Sequence, residues 1–573
     1  MKTFLKWFIG IIIVFSLLIF AGYIVLSSLF SNEPVVPSHA YLSIRLSGTL
    51  SEYLPPDPIS EALGESELDL KKIRDDLEKA RIDKRVKGVV FEIGMLETGY
   101  AKLQELRFLI GEFRKSGKKV YAFLGPDVAL TKDYYLATAC DSIFMPPAAN
   151  LFLTGIRSEV TFYKDFFKRF GVQAQFVHIG KYKNAPDSYT RNTMSPAQKE
   201  VLEDIISQFY SELVQAISEA RHISETEADR LIQHQSGFSG QGALKAGLVD
   251  QLGFSEDVVA LFKKKDDKIR KLSAEEYARV PASSLKIRNK SRIAVVNCVG
   301  IIAGGSDSNV PLLGRVMGSA STISNIKRAA RSRSIKAIIL RIDSPGGSAS
   351  ASQNIWHAIK EASRKKPIIA SVSDYGASGG YFLSMAADTM IAAPNSLVGS
   401  IGIFAGKFSF KNLYDKLDLN SEAVQKGRHA DLFSVLQPWD GEEERMMQAL
   451  ITDFYREFVQ RVAESRGMTF EAVDHLARGR VWTGREAARN GLFDRTGYFY
   501  SALQAAKKMA HIDSSQSVRL VYYPRRRSMF REVLSNLQVL TSASGNAFAR
   551  FSHFIEQIQN KPLALLPFQM KIY

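Results

Sequence analysis

The chain has 573 residues, enough for two domains of ordinary size, and 46% hydrophobic with 23% charged residues excludes wholesale disorder. Its formal net charge is +16, yet the basic residues are scattered, with local runs at Lys263-Lys264-Lys265 and Arg525-Arg526-Arg527. No zinc-finger spacing, RNA-binding aromatic signature or basic heptad helix accompanies them, so nucleic acid is set aside and anionic lipid is the more economical counterpart. The two cysteines, Cys140 and Cys298, lie in apolar segments and offer neither a disulfide framework nor a metal site.

At the N-terminus, Lys2 and Lys6 precede an uncharged apolar run over residues 7–30. That run matches the roughly 20 residues that span a bilayer and exceeds a signal-peptide core of about 7–15. The reading is a retained transmembrane anchor after a cytoplasmic N-terminus of residues 1–6. Ser38-His39-Ala40 resembles a cleavage site but lies well beyond the apolar run. Lysines before the span and Glu33 after it put the remainder of the chain outside the cytoplasm.

From residue 39 onward the chain repeats itself. The strand-like segment Lys87-Gly88-Val89-Val90-Phe91-Glu92-Ile93 lines up with Lys336-Ala337-Ile338-Ile339-Leu340-Arg341-Ile342. Tyr134-Tyr135-Leu136-Ala137 lines up with Tyr381-Phe382-Leu383-Ser384, and Phe238-Ser239-Gly240 with Trp482-Thr483-Gly484. The offset drifts only from 252 to 244, as small loop insertions would produce. The expected organisation is a first repeat over 39–262, a basic linker over 263–290, a second repeat over 291–517 and a basic amphipathic tail over 518–573. Each repeat alternates Val/Ile-rich runs with longer amphipathic stretches, an α/β pattern of largely parallel, buried strands. In such folds, loops at the carboxyl ends of strands carry chemistry.

The repeats differ where chemistry would sit. Lys366-Pro367-Ile368-Ile369-Ala370-Ser371-Val372 reads as a buried strand and Tyr381 onward as a buried helix. Between them, Ala377-Ser378-Gly379-Gly380 forms a turn that would expose a serine hydroxyl, with the Gly379 N–H beside it as an oxyanion donor. The first repeat has Thr131-Lys132-Asp133 there. Asp343-Ser344-Pro345-Gly346-Gly347 follows a strand of the second repeat, making Gly346 a second candidate donor; by itself it is also an ordinary tight turn. Setting Gly180 on Gly427 brings Lys183 opposite Ala430. One repeat thus keeps a serine without the lysine, the other a lysine without the serine. A lone lysine is usually a solvated charge, and the complementary loss is what singles out Lys183. A buried, neutral lysine can serve as general base to a serine. His429, with Asp431 nearby and in the same repeat as Ser378, is the rival base.

Together with Gly399-Ser400-Ile401-Gly402 and Gly180-Lys181-Tyr182-Lys183-Asn184-Ala185, these motifs resemble signal peptide peptidase A (protease IV, peptidase family S49) in its long, tandem-domain form. The resemblance runs from the membrane span to about Gly497. It implies two tandem Clp/crotonase-like α/β domains and a bacterial inner-membrane serine endopeptidase, its catalytic domains extracytoplasmic, that degrades cleaved signal peptides. It further implies Ser378 as nucleophile, Lys183 as base, Ser400 orienting the lysine, Gly346 and Gly379 as the oxyanion hole, and assembly as a homotetramer. No cofactor or metal is called for. A crotonase-type acyl-CoA enzyme and a non-catalytic membrane scaffold are the alternatives. In the tail, Met529, Phe530, Val533, Leu534, Leu537 and Leu540 recur at roughly helical spacing behind the arginine run, as in a helix lying on lipid or on a neighbouring subunit, or, as is commoner, on its own domain.

Overall fold

A computed structural model describes residues 36–55, 68–262, 269–285, 291–310, 314–524, 563–565 and 571–572, with isolated positions 7, 10 and 14. Apart from those three positions, the expected anchor over 7–30 lies outside the described residues, as does the amphipathic stretch from Met529 to Leu540. Among the described residues, no helix is long and apolar enough to cross a membrane.

The first half builds a sheet from β1 (Ala40–Gly48), β2 (Val86–Leu96), β3 (Lys119–Leu124) and β4 (Ser142–Met145), paired in parallel. Helices α1 (Leu70–Ile82), α2 (Tyr100–Arg114), α3 (Thr131–Ala137) and the long α4 (Pro196–Arg221) accompany it, and between α3 and α4 runs a separate strand, β5 (Gln173–Ile179). The strands are buried on both faces, which is why they read as unbroken Val/Ile runs with little alternation.

The second half repeats the plan. Its sheet contains β7 (Ser291–Val299), β8 (Ile335–Ser344) and β10 (Ile368–Ala377), again parallel. Between β8 and β10 come the short β9 (Gly346–Ser348) and helix α5 (Ala349–Ser363). After β10 follow α6 (Gly379–Ser384), β11 (Leu397–Gly399), β12 (Ile403–Ser409) and the long α7 (Gly441–Arg466). Matching side chains make matching bonds. The Tyr134 hydroxyl donates to the Leu248 carbonyl as that of Tyr381 does to Leu492, and Tyr210 bonds Asp229 as Tyr455 bonds Asp474.

Two expected boundaries are corrected. Part of the 263–290 stretch is not linker: Arg270–Ser273 forms β6, a parallel edge strand on β1, and buries Leu272. The 518–573 tail likewise begins inside the second sheet, where Val518–Tyr523 forms β13 against β7 and buries Tyr523. Each first strand has an exposed edge until these segments cover it, so pairing outweighs the basic composition that marked them as linker and tail.

A third sheet joins the halves. It runs from Ser308–Val310 through Gly314–Gly318, Ile301–Ala303 and β9 to β14 (Leu563–Leu565), then β12 and finally β5 of the first half. β5 pairs antiparallel with β12 along its whole length, from Ile179 opposite Ile403 to Gln173 opposite Ser409. This ladder delivers the loop that follows β5 into the second half.

Candidate active site

Strand β10 extends beyond the expected Val372, because Tyr375, Gly376 and Ala377 pair with Leu397, Val398 and Gly399. The strand-to-helix turn is therefore sharper than the sequence implied. Ser378 takes φ 54° and ψ −110°, a conformation that a side-chain-bearing residue rarely adopts, and its N–H is held by the Gly399 carbonyl at 2.7 Å. Helix α6 starts at once. The glycines that follow have no room for a side chain: a Cβ at Gly379 would lie 2.6 Å from Ser352 Oγ, and one at Gly380 2.5 Å from the Ser344 carbonyl oxygen. Close packing under the turn thus fixes the serine hydroxyl in place.

Lys183 reaches it from the other half. After β5, Gly180 (φ 99°) presses against Arg478, where a Cβ would come within 2.3 Å of backbone atoms. Tyr182 N–H donates to the Arg478 carbonyl at 2.9 Å, and Gly479 leaves space for the Lys183 backbone. The lysine is then directed inward, fully buried with Ser378 and Ser400. Its Nζ lies 2.8 Å from Ser378 Oγ, 2.9 Å from Ser400 Oγ and 3.2 Å from the Ser400 carbonyl oxygen. Burial pushes its amine well below the usual 10.5. In its neutral form such an amine can take the hydroxyl proton.

The other expected residues fall out unevenly. Gly379 stands at the N-terminus of α6, and its site for a Cβ is 3.2 Å from Gly346 Cα, so the two glycines adjoin. The Gly346 N–H, however, donates to Ser344 Oγ at 3.2 Å, and that hydroxyl donates to the Gly300 carbonyl at 2.7 Å. Receiving an oxyanion there requires the amide to leave Ser344. His429 is not at the site: its ring nitrogens face Glu442 and Glu443 at 3.5 Å, near the start of α7.

Sequence reasoning missed the charged layer behind the turn. Arg341 Nε lies 2.7 Å from Glu52 Oε2, and its Nη2 lies 2.6 Å from Glu105 Oε2, all three buried. Burial alone would raise the Glu52 carboxyl, but Arg341 and Lys102 bring it down to about 2. Asp343 and Asp374 belong to the same layer. Their signal was available, since an acid at the buried end of a strand needs a cation, but nothing in the sequence said which.

A buried serine hydroxyl on a strained backbone, in contact with a buried lysine amine whose hold on its proton desolvation weakens, is an arrangement suited to a serine hydrolase. The model of peptidase family S49 matches residues 112–269 and 360–513. The chain belongs to that family and is a serine protease. It is 32% identical over 507 residues to the chloroplastic serine protease SPPA of Arabidopsis thaliana, covering 87% of this chain and 73% of the relative. It is 31% identical to Protease 4 of Salmonella typhi, covering 85% and 78%, and 30% identical to Protease 4 of Haemophilus influenzae, covering 76% and 72%. Among solved structures, the ClpP1 N165D mutant from Listeria monocytogenes aligns over 36% of this chain and 91% of its own, with 16% identity and a TM-score of 0.24.

Proposed function

We propose a Ser378/Lys183 endopeptidase that takes extended apolar peptides, spent signal peptides among them. The observation that carries it is the 2.8 Å approach of Lys183 Nζ to Ser378 Oγ within a fully buried pair. The neutral amine accepts the hydroxyl proton while Oγ attacks the scissile carbonyl carbon. Gly379 N–H, joined by Gly346 N–H once it leaves Ser344, stabilises the oxyanion. The lysine ammonium then gives its proton to the departing amine, and a water, deprotonated in turn by Lys183, releases the acyl group. Ser400 holds the amine on line.

Peptide binding as a strand is supported by β14. This segment of the chain's own C-terminal part pairs antiparallel with β9, Gly346 opposite Leu565 and Ser348 opposite Leu563, and touches β12 at Phe404. A slot one strand wide beside the oxyanion glycines suits an extended peptide.

The finer reading is two Clp/crotonase-like domains anchored in a bacterial inner membrane by residues 7–30, facing away from the cytoplasm, in contact with lipid and assembled as a homotetramer. Assembly is supported by an exposed segment: residues 420–426, which correspond in the second half to β5, pair with no strand among the described residues, so a neighbouring chain can supply the partner that β12 gives β5.

The test is fluorophosphonate labelling with hydrolysis of a leucine-rich peptide. Labelling at Ser378 and loss of hydrolysis in Ser378→Ala are expected. Turnover of an acyl thioester without peptide hydrolysis, or activity retained in Ser378→Ala, overturns the reading.

A further inference from the structure

Both loops that build the site begin with a buried carboxylate. Asp343 stands at the end of β8, shortly before Gly346, and Asp374 stands in β10, shortly before Ser378. Two such groups side by side repel each other in a medium that screens poorly. The compensating charge comes from the other half of the chain. Lys102, in the first turn of α2, places its Nζ 2.7 Å from Asp343 Oδ2 and 3.1 Å from Asp374 Oδ2. Among the described residues it is the only side-chain cation within ion-pair distance of either aspartate.

The backbone repeats the connection. Lys102 N–H donates to Asp374 Oδ1 at 3.1 Å, and Tyr375 N–H donates to Asp343 Oδ1, also at 3.1 Å. Asp374 thereby fills the N-terminal cap of α2. The cap residue itself is Gly99, and a Cβ there would fall 2.3 Å from the Asp374 carboxylate. The matching helix of the second half, α5, is capped in the ordinary way by its own Ser348, which accepts the Ala351 N–H. The first half lacks a cap of its own where a carboxylate of the second half must enter.

Two further charges face this cluster from neighbouring elements. Glu52 is held by Arg341 and also faces Lys102, and Lys132, which lies over the Tyr100 ring, faces Asp374 beyond ion-pair distance. Burial would lower the Lys102 amine, but Asp343, Asp374 and Glu52 hold it above its ordinary range, so it stays an ammonium.

We infer that Lys102 is a positioning residue of the peptidase site: its ammonium ties the loop carrying Gly346 to the loop carrying Ser378 and so fixes the spacing of oxyanion donors and nucleophile. The inference rests on the roles proposed above for Ser378, Gly346 and Gly379. It gives the first half a second function in catalysis besides supplying Lys183. Because the oxyanion exists only after attack, a misplaced donor lowers kcat and leaves KM nearly unchanged.

The full-length protein carrying Lys102→Met, and separately Lys102→Met with Asp343→Asn, is assayed for peptide hydrolysis, fluorophosphonate labelling rate and thermal midpoint. In the double variant the new carboxamide oxygen at position 343 still accepts from Tyr375 N–H, while one of the two carboxylates left without Lys102, and with it their mutual repulsion, is gone. Lys102→Met is expected to lose about tenfold or more in kcat and in labelling rate, a fraction of what deleting one oxyanion donor costs. The double variant is expected to recover part of that loss and remain below wild type. If the single variant fails to fold, the double variant decides: a lowered kcat at unchanged KM supports the inference and a wild-type kcat overturns it. Wild-type kcat in folded Lys102→Met, or no recovery in the double variant, also overturns it. Ser378→Ala separates the two readings: if it stays active the site assignment fails, whereas a dead Ser378→Ala beside an undiminished Lys102→Met rejects this inference alone.

Discussion

Lys183 and Ser378 lie 195 residues apart in the chain, in different halves of it, and their reactive atoms are 2.8 Å apart. The contact exists because β5 of the first half is laid along β12 of the second. Lys183→Ala is therefore expected to be nearly as damaging as Ser378→Ala, each lowering kcat by about 10⁴-fold or more, as when a member of a catalytic triad is removed. His429→Ala should keep most of the rate, since its ring faces Glu442 and Glu443. Steady-state kinetics on one peptide decides between the bases.

The pH profile should carry the mark of a lysine. Burial holds the Lys183 amine well below 10.5, and only its neutral form accepts the serine proton. The rate constant kcat/KM rises with pH through that depressed value and then levels off. A profile that tracks an imidazole and vanishes in His429→Ala would refute the lysine base.

The same burial has a signed effect on stability. Between the depressed folded value and 10.5, the unfolded chain binds a proton that the folded chain does not, so this lysine's contribution to stability rises with pH across that window. Lys183→Met removes the dependence. The variant should melt above wild type near neutral pH, by about 1 °C for each kcal/mol relieved in a chain of this length, and the gap should close as pH approaches 10.5. Differential scanning calorimetry across that range checks it.

Ser400→Ala should be milder. It removes the hydroxyl 2.9 Å from Lys183 Nζ but keeps the carbonyl at 3.2 Å. Loss of one hydrogen bond of about 1 kcal/mol corresponds to a drop of roughly tenfold or less in kcat. A larger loss would mean that Ser400 handles the proton itself.

Ending the chain before Leu563 removes β14 from the slot beside Gly346. If substrate binds there as a strand, KM for an apolar peptide should fall while kcat holds, because a larger fraction of the protein is open to it. An unchanged KM would place the substrate elsewhere.

The α/β alternation, the doubled strand patterns and the small-residue turn at Ser378 were all legible in the residue order, because each is written in neighbouring residues: buried Val/Ile runs, helical spacing, glycines that permit close approach. Lys183 could be singled out as well, since two halves with similar residue patterns can be compared with each other. Anything resting on contacts between segments distant in sequence was beyond that reach. The stretch at 270–273 and the start of the tail at 518 read as basic connectors until an open sheet edge recruited them. Asp343 and Asp374 stood in plain view within their motifs, yet the ammonium between them comes from Lys102, on a helix of the other half. Even the Lys183 amine titrates as it does only because the tertiary fold removes it from water. Charge compensation and desolvation act through space, and the fold alone sets those distances.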